Sequence, residues 1–519
     1  MAGNSIKNVV IVGGGAAGWL TAGLIAAQHQ AAGAGSAGLR VTLIESPDVP
    51  IIGVGEGTWP TMRDTLSTIG VSESAFLREC DASFKQGSRF DGWYDGSERD
   101  YYFHPFVLPT GYTETALVPR WLERYGNVPF ADLSSFQPHL CIAGRAPKQP
   151  ATPEYAAVAN YGYHLDAGKF GTFLRKHCVD KLGVQHLSDH VVAINSHPDG
   201  DIASLQTRAH GAIEGELFID CSGMQSLLLG QHYGVPLIPQ KHILFNDSAL
   251  AIQVPYADER SPIASQTTST AQSAGWIWDI GLPTRRGIGH VYSSAHTSDD
   301  AAAQALQAYI AATGGGRGST TLRKLSFEPG YRDHFWHRNC VAVGLSAGFI
   351  EPLEASALAL VELSAAHLAG DMPATREAMD IVARRFNDAF SYRWERVIEF
   401  LKLHYLLSAR TDSAYWLDNR AAASVPQRLQ ELMQLWRHRP PSRYDFNRTE
   451  DVFPSASYQY VLYGMRFKPE ACIGVRPRDG ARAEEYFTEA GNLTRKMLRA
   501  LPSNRELLDH IRAHGLPRV

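Results

Sequence analysis

Residues 6–12 form a short run dominated by valine and isoleucine, the composition of a strand buried on both faces. Apolar positions then recur at helical spacing over 16–30, and a second β-branched run, Val41-Thr42-Leu43-Ile44, follows. Strand, helix and strand in that order predict a βαβ unit opening a parallel sheet. The stretch between them, Ala31 to Gly38, is almost wholly Ala, Gly and Ser; such small residues pack little, so the pattern predicts a surface insertion. From about 90 to 160, Pro, Gly, Tyr and Trp are dense and periodic segments few, which predicts extended loops that form a surface or pocket. Alternating or β-branched runs across 186–254 and 276–293 predict antiparallel strands. Beyond about 355 the period turns helical: Leu358, Val361, Leu363, His367 and Leu368 fall near one face, 376–409 continues with mixed charge, and 423–437 and the tail from 481 also read as helices. The pattern is that of a mixed α/β chain with a mostly helical C-terminal part. We expect a large unit over 1–410, to which 90–160 contributes a pocket, and a helical substrate-side subdomain over 411–519.

Composition mainly removes alternatives. With 44% hydrophobic residues, 20% charged residues and a net charge of −4, the chain of 519 residues is ordinary for a globular protein. Its Arg and Lys are scattered, so no basic stripe suits a nucleic-acid backbone. The six cysteines (80, 141, 178, 221, 340 and 472) include no CxxC pair, which argues against a disulfide framework or a metal site and for a reducing cytoplasm. Gly13 ends the N-terminal apolar run, and the later apolar stretch 357–361 is short, so we expect no membrane segment.

The first chemical signal is Gly13-x-Gly15-x-x-Gly18, with Ala16 and Ala17 inside it, lying between predicted strand and predicted helix. These glycines permit a tight turn, close approach of a pyrophosphate and helix–sheet packing, while the helix N-terminus offers N–H donors to phosphate. Glu45 ends the next strand, where a carboxylate accepts hydrogen bonds from ribose hydroxyls; its longer-than-usual distance from the turn is accounted for by the Ala/Gly/Ser insertion. The fingerprint alone does not separate FAD from NAD. Two later strand-to-turn passages, Phe218 to Gly223 and Val341 to Gly348 with Ser346, have the small residues that can lie against a flavin. No second GxGxxG is present, so no separate nicotinamide domain is expected.

Further stretches carry a resemblance. Gly55-Glu56-Gly57-Thr58-Trp59-Pro60, Phe84-Lys85-Gln86-Gly87 with Phe90-Asp91-Gly92-Trp93, and Phe349-Ile350-Glu351-Pro352-Leu353-Glu354 resemble the flavin-dependent tryptophan halogenases, in the family's order and over nearly the whole chain. Gly275-Trp276-Ile277-Trp278-Asp279-Ile280 looks like that family's WxWxIP motif, with Gly281 where its proline is expected. The resemblance implies a fold of the flavin monooxygenase type and an enzyme that uses reduced FAD, dioxygen and chloride or bromide to make hypohalous acid. It implies that FAD is held by Gly13, Gly15, Ala16, Ala17, Gly18, Glu45, Gly55, Glu56, Ser346, Gly348 and Ile350, and that a separate NAD(P)H-dependent reductase supplies it reduced. A homodimer is also compatible with it. Lys85 would hold or capture hypohalous acid, and Glu354 would orient it and take the ring proton, with Glu351 as the competing carboxylate. Without the motifs, Lys85 reads as a surface lysine after a core phenylalanine, and Glu354 as a carboxylate favoured by a helix N-terminus. Halide would lie at the amides of Ser356 and Ala357; Ala355-Ser356 stands where the family often has Ser-Thr. Trp276 and Trp278 share one strand face and would line the tunnel that separates flavin from substrate.

On the substrate side, His104-Pro105-Phe106 resembles the segment that sandwiches the indole, and Phe453 stands where the family places a tryptophan. Tyr444, Glu450, Tyr458 and Tyr460 do not fall in the register that anchors an amino-acid moiety, so a neutral indole is the expected substrate. Two rival readings remain at this stage: an aromatic flavin monooxygenase, and a flavin-binding protein without turnover.

Overall fold

The computed structural model describes residues 5–29, 38–49, 55–315, 321–470 and 477–518. All of the expected insertion, Ala31 to Gly38, except Gly38 itself lies outside the described residues, as does Cys472.

The predicted βαβ unit forms. Strand Asn8–Val12 pairs in parallel with Arg40–Glu45 on one side and Leu217–Asp220 on the other. Gln185–Ser188 and Cys340–Ala342 extend this sheet in parallel, and Trp336–His337 closes it antiparallel. Val9, Val10 and Ile11 are buried, as a strand covered on both faces requires. Helix Ala16–His29 follows the glycine turn and packs against helices Ser356–Gly370 and Ala167–Leu182.

A second sheet of seven strands runs in the order 323–326, 248–255, 285–292, 275–281, 267–272, 87–91, 101–105. The antiparallel expectation holds here for Ser248–Pro255, Gly275–Gly281 and Arg285–Tyr292, but not for Gln185–Ser188 and Leu217–Asp220, which are recruited into the parallel sheet beside the βαβ unit. Thr267–Gln272 also meets Gly87–Asp91 in parallel. A small antiparallel sheet joins the two halves: Gly162–Asp166 lies between Gly55–Gly57 and Ser83–Lys85. It brings Gly57 next to Lys85.

Two expectations need correction. The segment 90–160 is not only loop, since it holds strand Tyr101–Pro105 and short helices Leu117–Arg124, Phe130–Ser134 and Gln137–Ile142. Helices of five to eight residues are too short to show a period, and Pro or Gly at their borders hides them. Helix Ser356–Gly370 is buried on almost every side, not on one face, because it runs between Ala16–His29 and the long helix Arg376–Leu406. The segment Leu353–Gly370 has the length and mean hydropathy, 1.2, of a membrane span, and 67% of it is buried inside the fold. The tail helices Pro477–Ala500 and Asn504–His514 pack back on the short helices of 117–142 and on Glu73–Glu79.

Candidate active site

A cavity of about 490 Å³ opens at the carboxyl ends of the parallel strands, where open α/β sheets bind ligands. Gly13, Gly15, Ala16, Ala17, Glu45, Glu56, Gly348 and Ile350 line it, as do Ser356 and Ala357. Gly13 has φ +118°, and a Cβ there would lie 2.0 Å from the Cys221 carbonyl oxygen, so only glycine fits. A Cβ on Gly15 would meet nothing within 4 Å, so that backbone faces open space. The following helix has no acidic residue in its first turn, which leaves its N–H groups to attract an anion. The Glu45 carboxylate accepts from His186 Nε2 at 3.0 Å and lies against Gly14. This set of a bare glycine turn, a helix N-terminus and a strand-end carboxylate fits a dinucleotide.

Three expected cofactor residues do not line the cavity. Gly18 packs the helix on its own turn, since a Cβ would lie 1.9 Å from the Gly13 carbonyl oxygen, and Gly55 makes room for Ile280 in the same way. Ser346 is buried and donates to the Gly223 carbonyl at 3.1 Å. Cys221, Ser222 and Gly223 of the expected strand-to-turn passage line the cavity, and conversely Ser46, Asp189, His190 and Gln225 line it without having been singled out. All lie just beyond the ends of parallel strands, a rule that could have found them. Burial pushes the cavity-lining Glu56 carboxyl up to about 7.

Behind this wall lies Lys85. Far from being a surface residue it is 1% exposed. Its ammonium group sits 5.4 Å from the Phe106 ring centre and beside Gly57, with no hydrogen-bond acceptor or ion pair in reach among the described residues. Burial pulls its pKa down to about 8, against the opposing pull of Glu354. Neighbouring His164 is also pushed well down, by burial and then by Lys85.

Glu354 is buried too. Its Oε1 accepts from His104 Nδ1 at 2.8 Å and lies 3.4 Å from His404 Nε2, while Oε2 accepts from Ser88 Oγ at 3.3 Å. Burial would raise this carboxyl, but His104 and His404 overrule burial and hold it well below the usual range. Glu354 and Ala355 both take left-handed backbone conformations, φ 64° and 54°. That double turn directs the glutamate away from the helix whose first residues, Ser356 and Ala357, line the cofactor cavity. Glu351 is occupied elsewhere: its Oε2 accepts from Asn246 Nδ2, Trp276 Nε1 and Tyr405 OH at 2.6, 2.7 and 2.7 Å.

Strand Tyr101–Pro105 carries His104 and Pro105, and Phe106 follows. Both His104 nitrogens are engaged, the second with Ser457 Oγ at 2.9 Å, so this ring is fixed in plane as well as offered for stacking. Phe453 stacks on Phe400 at 3.8 Å and meets Trp59 edge-on at 5.0 Å. Trp276 and Trp278 are buried with ring centres 6.4 Å apart. Ser88, Tyr102, His404 and Ser457 escaped the sequence reading because each looks like an ordinary core position.

Among the residues considered for an amino-acid anchor, Tyr444 is 75% exposed, Glu450 pairs with Arg448, and Tyr460 donates to the Val107 carbonyl. Tyr458 packs between Phe446 and Phe400.

The sequence profile described as tryptophan halogenase matches residues 8–476. The tryptophan 6-halogenase SttH of Streptomyces toxytricini is 32% identical over 525 residues, covering 96% of this chain and 97% of its own. A solved structure of a tryptophan halogenase from Shewanella frigidimarina superposes with a TM-score of 0.95 at 50% identity, covering 99% of both chains. BrvH, a flavin-dependent halogenase from Brevundimonas sp., superposes with a TM-score of 0.86 at 32% identity, covering 98% of this chain and 99% of its own.

Proposed function

The chain belongs to the tryptophan halogenase family, and on that premise we propose that it halogenates an indole or similar electron-rich aromatic with chloride or bromide, through Lys85 and Glu354. One observation carries the reading: a buried lysine without a hydrogen-bond partner among the described residues, under the influence of a buried carboxylate, directly behind the wall of the cavity that the glycine turn lines. Burying a lone ammonium is costly, and a fold that tolerates it supplies a group for a ligand to meet.

Gly13, Gly15, Ala16, Ala17, Glu45, Glu56, Gly348 and Ile350 would hold FAD, which, supplied reduced and with dioxygen, provides the oxidising power that turns halide into hypohalous acid. The amides of Ser356 and Ala357 hold the halide by the partial positive charge of the helix start. The Lys85 ammonium donates a hydrogen bond to the oxygen of hypohalous acid and polarises its bond to halogen. As the ring carbon takes the halogen, that bond breaks and the oxygen leaves as water with the lysine proton. Glu354 then takes the ring proton, and proton exchange restores both groups. Trp276 and Trp278 keep the organic substrate apart from the cofactor, which favours halogenation over the hydroxylase alternative, as family membership does.

A neutral indole is the preferred substrate. A zwitterion needs matched charged partners to offset its desolvation, each worth about 1.5–3 kcal/mol, and the candidate anchors face outward or are occupied. Reaction at C3 of indole follows, because weak orientation leaves intrinsic reactivity to decide. A separate NAD(P)H-dependent flavin reductase completes the system. Indole and tryptophan at equal concentration, with chloride or bromide, FAD and a reductase, test this by mass spectrometry. Halogenated indole in excess of about tenfold supports it. A dominant ring-halogenated tryptophan overturns the substrate choice, and hydroxylated product or none overturns the activity.

A further inference from the structure

We infer that His404 and Tyr102 are positioning residues which, with His104, clamp one oxygen of Glu354 and leave the other free to take the ring proton. The chemistry rests on the halogenase reading above; the geometry stands without it.

The two oxygens of Glu354 are treated unequally. Oε1 faces two imidazoles, His104 Nδ1 at 2.8 Å and His404 Nε2 at 3.4 Å. Oε2 has a single long contact, 3.3 Å, from the Ser88 hydroxyl. The carboxylate can only accept, so His104 presents an Nδ1–H to it. The tautomer of His404 follows from its far side, where Nδ1 lies 2.5 Å from the Tyr102 hydroxyl. That phenol is fully enclosed and near Glu354, and both effects push its pKa well up, so it keeps its proton and donates a hydrogen bond to Nδ1. A neutral His404 then carries its own proton on Nε2, which lies 3.4 Å from Glu354 Oε1 and has no other partner among the described residues. Burial favours the neutral ring.

The groups that face Glu354 or its two imidazole neighbours come from five directions: Lys85, Ser88, Tyr102 with His104, His404 and Ser457 lie on separate strands and helices. Of these only Lys85, Tyr102 and the two histidines titrate. Phe90, Trp93 and Phe400 enclose the His404 ring, with ring centres at 4.7, 6.0 and 5.3 Å, so the imidazole cannot turn away. With Oε1 hydrogen-bonded to His104 and His404 Nε2 a further neighbour at 3.4 Å, Oε2, which has only the long Ser88 contact, is the less satisfied oxygen, at a fixed orientation. A preoriented base needs no rearrangement when the ring proton must leave.

The test compares His404→Phe, His404→Gln and Tyr102→Phe with the wild type, using indole deuterated at the halogenated carbon. We expect His404→Phe to lower kcat about tenfold to a hundredfold with KM little changed, and to reveal a kinetic isotope effect that the wild type lacks. His404→Gln, which restores an N–H donor, should recover most of the rate. Nitrogen-15 NMR of the histidines, with His404→Gln to assign the signal, should show His404 protonated on Nε2 in the wild type and a tautomer mixture in Tyr102→Phe. A wild-type signal from Nδ1–H, or a His404→Phe enzyme with an unchanged rate and no isotope effect, overturns the clamp. Should the wild type halogenate nothing, the activity reading fails, and the NMR arm still decides the clamp.

Discussion

The cofactor cavity and the lysine site lie on two sides of one thin wall, Gly55–Gly57 and Glu354–Ala357, and they are built by different means. At its glycine-turn end the cavity is made of backbone, a glycine turn, a helix start and strand ends, while large apolar side chains such as Phe170, Phe386 and Trp394 line the remainder. The lysine site is made of side chains from distant elements, with Ser88, His104, His404 and Glu354 separated by up to 316 positions in the chain yet in mutual reach. A backbone site tolerates change in any side chain that does not fill it. A side-chain site fails when a single atom is lost, although the fold around it stands.

Lys85→Ala should sharpen this difference most. Halogenation should fall by about a thousandfold or more, while FAD binding, followed by flavin fluorescence, stays near the wild-type value. Joint loss of both would merge the two regions into one. Next, Gly13→Ala should lower unfolding free energy by about 3 kcal/mol and abolish FAD binding, through a left-handed backbone and a clash with Cys221. Gly15→Ala, whose Cβ enters open space, should keep the melting temperature of the cofactor-free protein and weaken FAD about tenfold, or about 1.4 kcal/mol. If the two variants behave alike, the cavity is not backbone-built in the way described.

Lysine burial also has a stability signature. The folded pKa of Lys85 is about 8 against a usual 10.5, so the unfolded chain binds this proton more tightly. The penalty is full below pH 8 and is relieved as pH rises from 8 to 10.5. Lys85→Met should therefore be inactive yet more stable than wild type by on the order of 2–3 kcal/mol at pH 7, with the gap narrowing above pH 8 in denaturant titrations. The smallest effect belongs to Glu56. Its carboxyl ionises near pH 7 at the cofactor wall, so affinity for the anionic dinucleotide should fall a few-fold, on the order of 1 kcal/mol, as pH rises from 6 to 8. Glu56→Gln should remove that slope in calorimetric titrations.

The same contrast governs what could be read from the sequence. Gly13 to Gly18 and Glu45 were legible because strand, turn and helix are contiguous and each glycine has a separate steric reason. Gly18 and Gly55 carried the right residue for a packing reason, not a cofactor contact. Lys85 on its own looked like a surface lysine; nothing within its strand announces that 162–166 covers it. His404 lies in a 31-residue helix where most inward positions are core, so one polar ring there gives no local signal. The short helices of 117–142 were hidden because two turns are needed before a period shows.

Glu354 and Ala355, consecutive in left-handed conformation, restrict the alphabet available to anyone redesigning this enzyme. A β-branched residue at 355 would cost about 1–2 kcal/mol in backbone strain alone, before any chemistry is assayed, whereas Gly or Asn would sit there comfortably. Libraries that randomise 353–357 freely would mostly sample unfolded or misdirected chains. Variation in substrate scope is better sought at Phe106, Phe453 and the outward segment 444–450, where side chains can change without altering the turn that aims the carboxylate.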